Sequence, residues 1–174
     1  VVKTAVLKAN TIANQLSTTQ PTIIIAADTI VTLDNKMLGK PKDEAKAWQM
    51  LTRLRARQHI VYTGLVLHNL DTGKQLHKVN PSIVTMRPYT DAEIATYVAS
   101  GDPMDKAGAY AIQHPQFRPV AHLDGCFTGV MGLSVCQLIE AFDKWQLPRP
   151  RNLTAVSQAH SSYPCPLLNQ LFMK

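Results

Sequence analysis

The chain has 174 residues, of which 45% are hydrophobic and 17% are charged, and this composition is typical of one globular domain. No apolar run approaches the roughly 20 residues of a membrane helix, and no signal-peptide pattern opens the chain, so we expect a cytoplasmic protein without a membrane partner. The net charge of +6 favours anionic partners, but only 6% of residues are aromatic and no long basic run occurs. A nucleic-acid partner is therefore not expected.

The first half of the chain predicts a helix, a buried strand and a hairpin in that order. Apolar residues recur at helical spacing over Val1–Leu16, and the β-branched run Thr22–Ala26 predicts a buried strand. Two short extended segments flank Asp34–Asn35, which suggests a hairpin. Asp43 is placed to cap a second helix, whose apolar face includes Leu51.

The second half predicts two long strands followed by a mixture of helices and short strands. His59–Leu67 and Gln75–Met86 are extended segments joined by a glycine-containing turn. Thr90–Glu93 has the spacing of a capping box that opens a third helix. Short strands are predicted at Val120–Leu123 and Phe127–Val130.

The last predicted elements define the extent of the domain. The glycine-containing segment Asp105–Gln113 predicts a loop entering a strand, and Leu133–Trp145 predicts a final helix. Prolines interrupt residues 147–174, for which we expect an irregular C-terminal tail. Alternating strands and helices with hairpins among them predict a single α/β domain over residues 1–146, with a central mixed twisted sheet flanked by helices.

Cysteines and histidines show no spacing that predicts a metal or nucleophile site. Cys126, Cys136 and Cys165 form no CxxC pair, and their odd number and wide spacing predict free thiols in a reducing compartment. The six histidines have no HxH or HxxxH spacing, so a zinc site is not expected. Neither a GxSxG elbow nor a GxxxxGK[ST] phosphate loop occurs.

Three segments carry residues suited to chemistry on phosphates. Asp28 follows a buried apolar run, where a carboxylate can hold a divalent cation or orient a water molecule, although an aspartate that starts a turn gives the same pattern. Lys40, between Gly39 and Pro41, can direct a fixed charge at a phosphate or can be an ordinary surface lysine. Asp105–Tyr110 combines an acid, a lysine and a glycine, which suits either a metal–phosphate site or strand packing.

Taken together, these segments resemble the Maf family, which is part of the inosine triphosphate pyrophosphatase-like superfamily. The resemblance extends from about Val1 to Trp145, and its motifs follow one another at matching intervals. The segments that carry it are Ala27–Val31, Leu38–Pro41, Ala47–Leu54, His59–Gly64, Met86–Tyr89, Asp105–Gln113 and Val130–Leu133.

The resemblance implies a metal-dependent cleavage between the α- and β-phosphates of a nucleoside triphosphate, with Mg²⁺ or Mn²⁺ as cofactor. Asp28 matches the family's acidic proton acceptor, and Lys40 and Lys106 match lysines that face the phosphates. Lys8 matches a lysine of the helix before the first strand. We expect Asp28 and Asp105 to be the metal ligands.

The resemblance also implies a preference among bases. Thr29 and Gln113 match positions tied to base selection, and a threonine after the aspartate resembles the branch that acts on dTTP and UTP. We therefore expect dTTP, UTP or modified pyrimidine nucleotides to be hydrolysed to a monophosphate and pyrophosphate. His114–Pro115 follows Gln113 where many members have glycine, which would reshape the base pocket. Family members are often dimers, so a homodimer is implied.

The sequence departs from the family pattern at its beginning. The family's opening strand and its SxSPRR loop do not precede the first predicted helix, so we expect the N-terminal part of the domain to be incomplete, either in this chain or in the protein itself. This departure favours an alternative from another class, a catalytically silent nucleotide-binding protein involved in cell-division control. An SxSPRR segment upstream would restore the enzyme interpretation.

Overall fold

The computed structural model describes residues 1–148, 153–160 and 163–172, which form a five-stranded sheet with helices packed against it. In chain order the elements are α1 (Val2–Gln15), β1 (Ile23–Leu33), β2 (Lys36–Leu38), α2 (Glu44–Leu54), β3 (Gln58–Asn69), β4 (Gln75–Met86), α3 (Asp91–Ala99), two 3₁₀ turns (Asp102–Asp105 and Ala107–Ala109), β5 (Val120–Asp124), α4 (Phe127–Met131), α5 (Val135–Lys144), α6 (Leu153–Ala159) and α7 (Pro166–Phe172). Within the described part of the chain, no helix is long and apolar enough to cross a membrane.

The sheet has the strand order β2-β1-β3-β4-β5, and every neighbouring pair of these described strands is antiparallel. The prediction of a single α/β domain with flanking helices is confirmed, but the prediction of a mixed sheet is wrong for these strands. The physical reason is local connectivity. Tight turns join β1 to β2 and β3 to β4, and a strand that returns directly from such a turn runs antiparallel to the one before it.

The central strand β3 is buried on both faces of the sheet. Residues 63–67 are all buried, as expected for the middle strand of a covered sheet. On one face α1 packs Ala5 and Ala9 against Ile24 and Val66. On the opposite face the largest apolar cluster joins α2 and α3 to the sheet, and its fully buried members include Leu51, Leu54, Val84, Tyr89 and Ile94.

Side-chain caps begin two helices where the sequence predicts them. The Lys46 backbone N–H donates to the Asp43 carboxylate at 2.7 Å, which opens α2. At the start of α3, the Glu93 N–H donates to the Thr90 hydroxyl, while the Thr90 N–H donates to the Glu93 carboxylate. The predicted capping box is therefore confirmed, and it fixes where α3 begins after β4.

The structure corrects the predictions for three C-terminal segments. Residues 127–130, predicted as a strand, belong to the short helix α4, which ends at Gly132 with a positive φ of 130°. The prediction is wrong because this apolar run is too short to distinguish helical from strand periodicity. Residues 105–113, predicted as a loop entering a strand, contain the last residue of one 3₁₀ turn, the whole of a second and no strand. The tail expected to be irregular contains α6 and α7, whose Val156, Leu168 and Leu171 pack against α5. Part of that tail, residues 149–152, 161–162 and 173–174, lies outside the described residues.

Gly125 fixes the turn between β5 and α4, and replacing it should be costly. Its φ is 148°, and an added Cβ would lie 2.7 Å from the Ser82 Cα, a distance that real Cβ atoms do not adopt. We expect Gly125→Ala to lower the free energy of unfolding by about 2–4 kcal/mol through steric overlap and backbone strain. Urea unfolding measures this loss.

Gly39→Ala is the matched control, because a Cβ there meets nothing within 4 Å and the backbone has no positive φ. It should change stability by less than about 0.5 kcal/mol. Equal stability of the two variants would contradict the steric role of Gly125.

Candidate functional site

One cavity of about 380 Å³ gathers the charged motifs of the sequence. It is lined by residues from α1, β1, the loop at 39–41, the turns at 105–113 and the end of α4. All seven residues predicted to form the site line it: Lys8, Asp28, Thr29, Lys40, Asp105, Lys106 and Gln113. The fold thus brings residues that are far apart in sequence to one cavity, and its volume lies in the usual range for small-molecule sites, about 300–1,000 Å³.

Asp28 lies in the middle of β1 and not at a strand end as predicted. The apolar runs on its two sides form one continuous strand, in which Asp28 pairs with Gly64 of β3. The position therefore starts no turn, which removes the alternative explanation of this aspartate. Its side chain is only 17% exposed and accepts a hydrogen bond from Lys8 Nζ at 2.7 Å.

Lys8 reaches this carboxylate from α1. Its ammonium group also donates to the Ala27 carbonyl at 3.0 Å, so two acceptors on the same strand hold it. The Lys8 side chain remains 53% exposed. A cation with this exposure can turn toward an incoming anion while Asp28 stays fixed in the sheet.

Lys106 is held by carboxylates at a second wall of the cavity. Its ammonium donates to Asp105 Oδ1 and to the Asp102 carbonyl, each at 2.7 Å. Burial alone would lower the pKa of Lys106, but the hydrogen bonds to Asp105 and Asp102 outweigh it and raise the pKa. The same contact with Lys106 lowers the pKa of Asp105. Both groups therefore stay charged at neutral pH.

A backbone contact aligns the two lysine-bearing loops. The Gly108 N–H donates to the Gly39 carbonyl at 3.1 Å, which ties the segment after Lys106 to the segment before Lys40. Gly108 has a φ of 73°, and a Cβ there would lie 3.1 Å from a Val31 methyl group. Only glycine allows this approach without strain, so the lysines share the cavity because of it.

Thr29 occupies a hydrogen-bonded chain that limits what it can offer a ligand. The Thr63 hydroxyl donates to the Gly129 carbonyl at 2.6 Å. Since a hydroxyl has one proton, the contact of 2.9 Å between Thr29 Oγ1 and Thr63 Oγ1 makes Thr29 the donor. The lone pairs of Thr29 then remain as acceptors. Gln113 is exposed at the cavity and offers both a donor and an acceptor.

The carboxylates at the cavity suit a hard divalent cation. Asp28 and Asp105 both line it, and among the described residues no group of three or more carboxylate, imidazole or thiol ligands meets at this cavity. Mg²⁺ and Mn²⁺ accept such oxygen donors, and Mg²⁺ usually takes one or two carboxylates and completes its shell with water and substrate phosphates. The donor set therefore fits a cation shared with a phosphorylated ligand.

A buried histidine supports the cavity wall from behind. Tyr110 lines the cavity, and its hydroxyl oxygen lies 2.8 Å from His59 Nε2. Burial raises the pKa of Tyr110, so its hydroxyl keeps its proton, and burial lowers the pKa of His59 to about 4. The neutral ring and the protonated hydroxyl therefore share one hydrogen bond. Sequence reasoning assigned no role to His59, Thr63 or Gly129, because their partners follow only from strand register and helix packing.

Comparison with known proteins places these features in a family context. The family model described as Maf-like protein matches residues 1–145. A dTTP/UTP pyrophosphatase of Dehalococcoides mccartyi is 44% identical over 140 residues, which cover 80% of this chain and 61% of that protein. A dTTP/UTP pyrophosphatase of Carboxydothermus hydrogenoformans is 44% identical over 123 residues, which cover 71% of this chain and 66% of that protein. A dTTP/UTP pyrophosphatase of Dictyoglomus turgidum is 47% identical over 116 residues, which cover 67% of this chain and 60% of that protein. The chain thus spans less than two thirds of the length of these relatives.

His59 should make stability depend on pH in a defined window. Its folded pKa of about 4 lies below the ordinary value of 6.5, so the unfolded chain takes up a proton first as pH falls. Stability is unaffected by this group above pH 6.5 and decreases between pH 6.5 and about 4. We expect a loss of about 2 kcal/mol between pH 7 and pH 5 from this group.

Urea unfolding of the wild type and His59→Gln at both pH values isolates this contribution, because every other titrating group is common to both proteins. The wild type should lose about 2 kcal/mol more than the variant. Parallel pH profiles would show that His59 is not buried as a neutral ring.

Proposed function

Because the chain belongs to the Maf-like protein family, we propose that the full-length protein hydrolyses nucleoside triphosphates, dTTP or UTP above all, to a monophosphate and pyrophosphate. The observation that carries this proposal is the meeting of Asp28 with Lys8, Lys40 and Lys106 in one cavity. The names of relatives 44% identical to this chain point to the same activity.

The charges of the cavity are suited to a triphosphate. Lys8, Lys40 and Lys106 bring three cations to a site whose ligand would carry several negative charges. Lys106, which Asp102 and Asp105 hold in place, can stabilise charge that develops on the leaving pyrophosphate without further reorganisation. Mg²⁺ or Mn²⁺, bound by Asp28, Asp105 and phosphate oxygens, would supply additional neutralisation when present.

Asp28 has the position and the environment of a proton acceptor. In the proposed reaction, the oxygen of a water molecule forms a bond to the α-phosphorus, the bond from that phosphorus to the α–β bridging oxygen breaks, and pyrophosphate leaves with the bridging oxygen. Asp28 takes the proton of the water. The Lys8 ammonium lies 2.7 Å from Asp28 Oδ1. A triphosphate competes for this ammonium, and its binding frees the Asp28 oxygen for the water.

Base selection is assigned to Thr29 and Gln113. The Gln113 amide can donate to the O4 carbonyl of a uracil or thymine ring and accept from its N3–H, and the free lone pairs of Thr29 supply a further acceptor. A site built on such bonds disfavours a base that leaves them unpaired. We further propose that the enzyme acts in the cytoplasm and as a homodimer, as the family resemblance implies.

The decisive test of the reaction is Asp28→Asn in the full-length protein. Asparagine keeps the side-chain volume but cannot accept the proton, so we expect pyrophosphate release from dTTP to fall by about 10²–10⁴-fold. The melting temperature should change little. Release of pyrophosphate in the presence of Mg²⁺ or Mn²⁺ is the measurement.

Asp34→Asn is the matched control, since Asp34 makes an exposed ion pair with Arg57 at the β1–β2 turn, away from the cavity. It should keep wild-type turnover. If Asp28→Asn retained more than about a tenth of the activity, Asp28 would not be the proton acceptor. A wild-type protein that binds dTTP but releases no pyrophosphate would instead support the silent binding protein.

Gln113→Leu tests the proposed base recognition. Leucine preserves size but removes both hydrogen bonds, so kcat/KM for UTP should fall by about 10–100-fold while kcat/KM for GTP changes much less. Gln116→Leu, at an exposed position outside the cavity lining, provides the control. Equal wild-type turnover of UTP and GTP would exclude the proposed pyrimidine preference.

A further inference from the structure

A second group of reactive side chains lies outside the nucleotide cavity. Cys126 precedes α4, Cys136 lies in α5, His160 follows α6 and Cys165 precedes α7. All four are buried, with exposed fractions of 0%, 0%, 2% and 2% in that order. Their sulfur and nitrogen ligand atoms all lie within 4.8 Å of one another. None of the four lines the cavity described above.

Three of the six distances among these atoms are close to the edges of a zinc-sized tetrahedron, and all six are within 4.8 Å. Zn–S bonds of about 2.3 Å and Zn–N bonds of about 2.0–2.1 Å place tetrahedral ligands about 3.8 Å apart for two sulfurs and about 3.6 Å apart for sulfur and nitrogen. Cys136 Sγ and Cys165 Sγ are 3.8 Å apart. His160 Nε2 lies 3.6 Å from Cys126 Sγ and 3.3 Å from Cys136 Sγ.

The histidine ring is oriented for ligation. His160 Nδ1 lies 2.7 Å from the Val156 carbonyl, which can only accept, so Nδ1 carries the proton. In the neutral ring the lone pair then belongs to Nε2, the atom that faces the sulfurs. A backbone carbonyl that fixes the second nitrogen in this way is the usual support of a metal-bound histidine.

Hydroxyl groups surround the first sulfur. The Ser134 hydroxyl donates to Cys126 Sγ at 3.4 Å, and Thr128 Oγ1 lies 3.2 Å from the same sulfur. Hydrogen bonds of this kind stabilise a thiolate and are typical of the shell around metal-bound sulfur. The three cysteines are free thiols, so no disulfide occupies the cluster.

We propose that Cys126, Cys136, Cys165 and His160 bind one Zn²⁺ ion in a structural site. Three thiolates and one imidazole are a typical set for structural zinc, and four protein ligands leave no position for a substrate. An iron–sulfur cluster would need its ligands farther apart than this group allows. The sequence does not predict this zinc site, because its ligands show no short spacing and come from separate helical segments that meet only in the fold.

The site would join the C-terminal segment to the domain. Cys126 and Cys136 lie within the region matched by the family, residues 1–145, while His160 and Cys165 lie beyond it. Helices of seven residues such as α6 and α7 are too short to be stable alone. Metal binding supplies free energy only to the folded arrangement, so it holds these helices against α5.

Zinc content of the full-length protein, purified under reducing conditions, is the first measurement. We expect one zinc per chain by elemental analysis, recovery of that value when chelated protein is reloaded, and a melting temperature at least about 5 °C lower after chelation. Replacement by Co²⁺ should give the absorption of a tetrahedral thiolate site.

Two pairs of variants separate ligation from packing. Cys165→Ser and His160→Gln should bind zinc at least about 10-fold more weakly, because each loses a ligand. His122→Gln changes an exposed histidine, and Val156→Ala disturbs the packing of α6 without removing a ligand, so both should retain one zinc. Unchanged zinc affinity in Cys165→Ser would overturn the proposal.

The wild-type protein tests the site without any substitution. A folded, reduced chain that takes up no zinc and gives no thiolate–cobalt absorption would also overturn the proposal. So would a disulfide between Cys136 and Cys165, found by mass spectrometry in the protein as isolated. Neither result bears on pyrophosphate release, so this inference and the proposed reaction fail independently.

Discussion

The antiparallel pairing of β1 with β3 is the constraint on which the cavity depends. It sets Asp28 opposite Gly64 and Thr29 opposite Thr63. Because Gly64 has no side chain, the start of α1 can lie close to the sheet, and a Cβ there would come within 3.0 Å of the Val1 and Val2 backbone. A one-residue shift in register would place Asp28 on the other face of the sheet, away from Lys8.

The same register explains why the site combines rigid and movable groups. Asp28 is part of a strand whose neighbour is buried on both faces, so its carboxylate has little freedom. Lys8 approaches from a helix that contacts the sheet through small residues, Ala5 and Ala9, and its side chain remains half exposed. A carboxylate fixed by the sheet and a cation on a flexible side chain can exchange partners when an anion enters without movement of the backbone.

Local signals in the sequence predicted the elements that local interactions determine. The caps at Asp43 and Thr90 and the hairpin at Asp34–Asn35 depend on neighbours within a few residues, and all three appear in the structure. The short helix α4 was mistaken for a strand because a run of four or five residues shows neither period clearly. The pairing of β1 with β3 and of β4 with β5 joins segments that are far apart in the chain, and no local pattern encodes it.

The candidate site was predictable for a different reason. Taken alone, Asp28 is compatible with a turn and Lys40 with an ordinary surface lysine. Only the order and spacing of several motifs favour a site over these alternatives. The hydroxyl chain of Thr29, Thr63 and Gly129 could not be found in this way, since it requires both strand register and the placement of α4. The cluster of Cys126, Cys136, His160 and Cys165 was missed on the same grounds, because its members approach only when the C-terminal helices pack on α5.

The cluster and the packing of the tail also depend on each other. Val156, Leu168 and Leu171 surround the thiols and the imidazole with apolar side chains. An apolar surrounding strengthens the attraction between thiolates and a cation, but it opposes three ionised thiols that have no cation among them. Thiolates at this position would therefore need the positive charge that we propose at their centre, and this need connects the order of the C-terminal helices with the occupant of the cluster.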